Sequence, residues 1–189
     1  MKYRARRAVM EESRLGGRVG EAAGGSRSEC RSVVIATSDG ARLVGTLYTP
    51  PNHADHGAAI VMSHGFAALA AHFLWRFAEA FAAAGFAVLV YDHRNFGGSS
   101  GEPRHEIDPW QQIRDARDVI TWLSLQPGVN SDRIGLWGSS YSGGHALVLG
   151  AIDRRIACVV AQVPTISGYQ QSLRRVRPDA IAAARALQL

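Results

Sequence analysis

Leu136-Trp137-Gly138-Ser139-Ser140-Tyr141-Ser142-Gly143-Gly144-His145 is the stretch on which the reading of this chain turns. Arg133 to Trp137 is a short β-rich run and Tyr141 to Ile152 a helical one, so Ser140 falls on the turn between strand and helix. This is the context that a nucleophile elbow requires. A serine on so tight a turn takes a strained backbone conformation, which demands small residues two positions to either side. Gly138 and Ser142 meet that demand around Ser140, and Gly143 permits close approach of the helix. The usual pattern has Gly at both flanking positions, so Ser142 is a small departure. Ser139 and Ser142 read as turn formers. The turn presents the Ser140 hydroxyl at the carboxyl edge of a sheet, with a helix N-terminus behind it to stabilise negative charge.

Working outward, strands and helices alternate. Ala58–Met62 and Phe86–Tyr91 are continuous apolar runs, as expected of strands buried on both faces of a sheet. Between them a helix is expected from His72 to Ala84, with Phe73, Phe77 and Phe81 on one face and Gly85 as its stop. Asp108-Pro109 supplies an N-cap and a proline at the first helical position, and Gln111 is placed to complete a capping box. That helix carries Trp110, Ile113, Ala116, Ile120 and Leu123 at spacings of three or four, and Pro127-Gly128 closes it. Ile156–Val163 is a further strand. Toward the N-terminus, Ser32–Thr37 and Leu43–Tyr48 flank the Asp39-Gly40 turn, a hairpin signal. Short connections between alternating strands and helices mean a parallel sheet covered on both faces.

Composition narrows the class. The chain has 189 residues, 47% of them hydrophobic, with a formal net charge of +5. This is the profile of one packed domain rather than a disordered, collagenous or disulfide-rich chain. Residues 1–31 hold eight cations against four Glu, whereas residues 32–189 hold 13 cations against 12 acids. The basic excess therefore belongs to an N-terminal arm. Residues 1–30, rich in Gly, Ser, Arg and Glu, read as a disordered basic leader ahead of a domain over 31–189. Of the aromatic residues Tyr3 alone stands among the basic residues of the arm, so a nucleic-acid partner is not expected. After Arg6-Arg7 only Ala8-Val9-Met10 precede Glu11-Glu12, with no apolar h-region, which argues against secretion or a membrane span. Cys30 and Cys158 form neither a metal spacing nor a disulfide framework, and the expected location is cytoplasmic. Cys158, within a strand, is expected to be an inert core thiol.

Two further loops carry chemistry. Ser63-His64-Gly65-Phe66 follows the Ala58–Met62 strand, where an oxyanion-hole loop belongs; the Phe66 and Tyr141 amides are placed to hold a developing oxyanion. Tyr91-Asp92-His93-Arg94-Asn95-Phe96-Gly97-Gly98-Ser99 follows the next strand. Together with the serine turn, in this order and on these strands, they resemble the α/β-hydrolase family over about residues 31–165. The wording around the turn is similar to the dienelactone-hydrolase-like and peptidase-like branches. Asn95 stands where that family often has Gly, and a local backbone adjustment is expected there.

The resemblance implies an α/β fold: a mostly parallel sheet with an N-terminal antiparallel hairpin and helices on both faces. It implies a serine hydrolase in which Ser140 attacks a small-molecule acyl substrate, a carboxylic ester, thioester or amide. No cofactor and no metal is called for. Phe66, Trp75 and the small residues from Ala67 to Ala71 suggest an apolar acyl pocket.

The family places its triad acid after the next strand and its histidine after the last. Here Ile156–Val163 is followed by Pro164–Gly168, a basic stretch with Arg174, Arg175 and Arg177, and an Ala-rich helix from Asp179 to Leu189. The sheet is therefore expected to be truncated after its sixth strand, with the triad acid and histidine absent from this chain. His145 lies five positions beyond Ser140 on one helix, roughly 7.5 Å along and about 140° around, and does not reach the serine. His64 is expected to orient its loop through a ring hydrogen bond, and Asp92 and His93 to fix theirs. An outermost sixth strand would expose an edge able to pair with a second copy. The alternative is an inactive, truncated hydrolase fold acting as a binding or interaction module. A nucleotide-binding reading is weak, because no Gly-x-Gly-x-x-Gly follows a strand and the only lysine is Lys2.

Overall fold

A computed structural model describes residues 28–51 and 57–186. The leader expected over 1–30 lies outside the described residues as far as Arg27, and the first strand already begins at Glu29. The chain runs β1 (Glu29–Ala36), β2 (Arg42–Thr49), β3 (Ala59–Ser63), α1 (Leu74–Ala83), β4 (Ala87–Tyr91), α2 (Pro109–Ser124), β5 (Ile134–Ser139), α3 (Tyr141–Ile152), β6 (Ile156–Gln162), α4 (Gly168–Arg175) and α5 (Pro178–Ala186).

Six strands form one sheet in the order β1-β2-β4-β3-β5-β6. The hairpin β1–β2 is antiparallel and closes through Ser38-Asp39-Gly40, with Gly40 at φ +87°, a conformation that glycine adopts without a side-chain penalty. β2 runs antiparallel to β4, whereas β4, β3, β5 and β6 are mutually parallel. This is the mixed, mostly parallel sheet that the alternation of elements predicts.

Period-two alternation sends each strand's side chains into two cores. Val61, Leu89, Tyr91, Ile134 and Leu136 pack against Ile113, Val119, Ile120 and Leu123 of α2 and Ala146 and Leu149 of α3. Met62, Val88, Val90 and Trp137 pack against Leu74, Ala78 and Ala82 of α1 on the opposite face. The sheet-facing row of α1 is thus Leu74, Ala78 and Ala82, while Phe73 is exposed. Phe77 instead lies over Trp137, ring centroids 5.4 Å apart, and Phe81 meets Phe86.

Asp108 caps α2 as expected, its carboxylate accepting from the Trp110 and Gln111 amides. The capping box does not form: the Gln111 amide group turns inward and donates to Asp115 at 2.9 Å. A buried carboxylate one helical turn on takes the side-chain amide's donor, and the Gln111 side-chain oxygen accepts from Arg114 rather than from the Asp108 amide. Cys158 is also not a core thiol. β6 is the outer strand of the sheet and Cys158 is exposed, because α1 does not extend over β6.

Candidate active site

Ser140 sits between β5 and α3 at φ +54° and ψ −112°, a region a residue with a side chain adopts only when its surroundings enforce it. Three contacts do so here. A Cβ on Gly138 would collide with the Ser142 carbonyl, so only glycine permits the turn to close. Gly143 packs on Pro164, where a Cβ would meet the proline at 3.0 Å. The Ser140 backbone also stitches the elbow to the chain after β6: its amide donates to the Gln162 carbonyl at 2.9 Å, and its carbonyl accepts from the Thr165 amide at 2.8 Å.

The structure brings the three sequence-derived site residues together. Phe66, Ser140 and Tyr141 line one open cleft of about 280 Å³ with Thr165, Gln171 and Val176. The Phe66 and Tyr141 rings meet edge to face at 5.5 Å, one from the loop after β3 and the other from the first turn of α3. Trp75 is not among the cleft-lining residues; it lies on α1 with the Arg76 guanidinium over its ring at 5.2 Å.

The loop after β4 is a scaffold. Asp92 accepts from the Ala70 amide at 2.8 Å and the Gly98 amide at 3.1 Å, tying the two loops beside the cleft to each other. A Cβ on Gly97, at φ +51°, would run into that carboxylate. Arg94 clasps the buried Asp115 through two contacts, at 3.0 and 2.6 Å, and reaches Asp39 of the hairpin at 2.8 Å. The hydrogen bonds from Arg94, then from Thr37, hold the Asp39 carboxyl well below the usual carboxylate range. The Ser99 hydroxyl donates to the Asp92 carbonyl and accepts from the Val44 amide. Asn95 takes φ +71°, the left-handed backbone that explains how it replaces glycine.

His64 Nδ1 lies 3.0 Å from the Gly65 carbonyl, the ring contact anticipated from sequence. The ring of His145 lies against those of Tyr141 at 4.8 Å and His93 at 5.8 Å. Burial lowers the pKa of both histidines, and that of His145 reaches about 4. Sequence reading missed what Ser142 does. Fully buried, its hydroxyl contacts the His64 carbonyl and His93 Nε2 and so joins the loops after β3 and β4 to α3. The one available signal was a hydroxyl at a position that ordinarily needs only smallness. Among the described residues no group of three or more His, Cys, Asp or Glu is arranged to hold a metal ion. No described helix is long and apolar enough to cross a membrane.

A family model described as X-Pro dipeptidyl-peptidase (S15 family) matches residues 39–180, from the hairpin turn into α5. This chain belongs to the S15 family of α/β hydrolases. Thiohydrolase aneE of Aspergillus aculeatus is 41% identical to this S15-family chain over 134 residues, which cover 71% of it and 41% of that protein. Polyketide transferase grgF of a Penicillium species is 36% identical over 143 residues, 76% of this chain and 48% of that protein. The crystal structure of the α/β hydrolase GrgF from Penicillium sp. sh18 superposes with a TM-score of 0.69 at 31% identity, over 85% of this chain and 55% of that one. The S15-family chain thus spans less than half the length of these two curated relatives. By resemblance it is a hydrolase-family chain.

Proposed function

We propose that this chain carries the nucleophile and oxyanion site of a serine hydrolase acting on a carboxylic ester, thioester or amide. The observation that carries this is Ser140: a strained φ of +54° at a strand-to-helix turn, on the wall of a cleft shared with Phe66 and Tyr141. In this reading Ser140 Oγ attacks the acyl carbonyl, and the Phe66 and Tyr141 amides hold the oxygen as it becomes negative. Collapse of that intermediate expels the alcohol, thiol or amine, which leaves with a proton, and water then releases the acid from the acyl-serine. Relatives named as thiohydrolases favour a thioester among the three. This reading calls for no cofactor.

The base that takes the Ser140 proton is not His64, whose two nitrogens face the Gly65 carbonyl and the His93 amide, nor His93 Nε2, which faces Ser142, while His93 Nδ1 is buried without a partner among the described residues. In this reading it comes from residues beyond this chain or from a second polypeptide. Without a base the reaction loses on the order of 10⁴- to 10⁶-fold in rate. The same observation favours the second reading, a binding module built on an inactive hydrolase fold.

Intact mass after treatment with a fluorophosphonate probe, beside Ser140→Ala, separates the two. A single adduct on the parent and none on the variant supports the hydrolase. A folded parent without adduct supports the binding module.

A further inference from the structure

We propose that Ser142 and His93 are positioning residues: the Ser142 hydroxyl, held by His93, sets where the loop His64–Phe66 lies relative to Ser140. That Phe66 serves an oxyanion rests on the hydrolase reading above; the wiring itself does not.

The hydrogen-bond circuit admits one assignment. The His64 carbonyl can only accept, so the Ser142 proton points to it. Ser142 Oγ must then accept from His93 Nε2–H, at 2.9 Å. The His93 backbone amide can only donate, and it does so to His64 Nε2 at 3.2 Å. His64 therefore carries its proton on Nδ1, which donates to the Gly65 carbonyl at 3.0 Å. Two neutral imidazoles in opposite tautomers, their rings 4.4 Å apart, thus link the loop after β3, the loop after β4 and the first turn of α3.

The position of His64 matters because Gly65 and Phe66 come next along the chain. A Cβ on Gly65 would stand 3.2 Å from the Ser140 Cβ, so the loop passes beside the serine with no room to drift inward. A glycine at 142 would satisfy the turn but leave the His64 carbonyl and the His93 Nε2–H buried without their partner. The serine at this position is explained by that need. Nothing in the circuit touches the reacting atoms, so its action on chemistry is through the loop.

The first test needs no substitution. Nitrogen-15 NMR of the imidazoles of the 189-residue chain at neutral pH is expected to show His64 protonated on Nδ1 and His93 on Nε2. The same tautomer at both sites, or His93 protonated on Nδ1, overturns the assignment. The second test measures amide exchange at Ala68, whose amide donates to the Gly65 carbonyl. Ser142→Ala and His93→Leu are expected to speed that exchange about tenfold or more, with Val61 and Leu136 at parent rates. His93→Gln, which retains an N–H donor, stays near the parent. Unchanged exchange in Ser142→Ala, or equal loss across the sheet, overturns the proposal. Fluorophosphonate labelling of Ser140, where the parent shows it, slows about tenfold or more in Ser142→Ala. A parent that takes no label counts against the hydrolase reading alone, and the tautomers and exchange rates still decide the wiring.

Discussion

Gly65 passes so close to Ser140 that an added Cβ would lie 3.2 Å from the serine Cβ and 3.4 Å from the Ser139 carbonyl oxygen. The loop after β3 and the elbow after β5 are therefore in van der Waals contact across the cleft floor. Their separation is set by the absence of one methyl group.

Gly65→Ala is accordingly expected to displace the loop by a few tenths of an ångström and to slow Ser140 labelling by about tenfold or more, since small misplacements at a reacting centre are costly. Stability should fall by only about 1–2 kcal/mol, the lower range for overpacking. Labelling kinetics beside a urea melt checks both. A variant that labels like the parent would count against the role given to the loop.

The buried Asp115 depends on Arg94. Removing the guanidinium in Arg94→Leu leaves the carboxylate, among the described residues, with Gln111 as its side-chain donor, and the expected loss is about 3–5 kcal/mol. Arg94→Leu combined with Asp115→Leu should recover part of it, because the uncompensated charge is gone. Chemical denaturation of the single and double variants tests the coupling.

Acid should unfold this chain through its histidines. His64, His93 and His145 all titrate below their ordinary value of 6.5 because burial opposes the charged form, and His145 is pushed down to about 4. Below 6.5 the unfolded chain binds protons that the folded one refuses, so the stability present above that pH is lost as pH falls toward 4. The slope is at most about 1.4 kcal/mol per pH unit for each histidine. His145→Leu should flatten this dependence. Urea midpoints at several pH values from neutral to mildly acidic give the answer.

At the start of α2, Asp108→Ala removes an acceptor shared by two backbone amides and is expected to cost about 1 kcal/mol. Asp108→Ser should recover most of it, which a thermal melt can read.

The outer strand β6 leaves Cys158 and Val160 exposed beside an apolar groove of about 420 Å³ lined also by Phe81, Phe86 and Trp137. Among the described residues no strand pairs with the outer edge of β6, and an edge with no charged residue between Ile156 and Gln162 invites pairing. Gel filtration should show self-association of this chain, reversed by Val160→Lys. A monomer in both cases would count against edge pairing.

Much of this was legible along the chain, and what was legible is local. The turn residues Gly138, Ser140 and Gly143, the helix Tyr141–Ile152 and the Asp108 cap arise from steric and hydrogen-bonding demands that act over a few residues. The order of the three loops, each after a strand of a parallel sheet, placed Phe66 and Tyr141 beside Ser140, because parallel strands carry their following loops to the same edge. The sequence pattern therefore determined the class of the sheet, its covering helices and three of the cleft residues, Phe66, Ser140 and Tyr141. Only the tertiary structure decided which partners the polar groups take. Gln111 turns to Asp115 rather than to its cap, α1 buries alanines rather than phenylalanines, Cys158 faces out, and Ser142 joins two histidines from other loops. These choices lie between residues 4 to 78 positions apart, and they are settled by which buried donors and acceptors meet when the layers close.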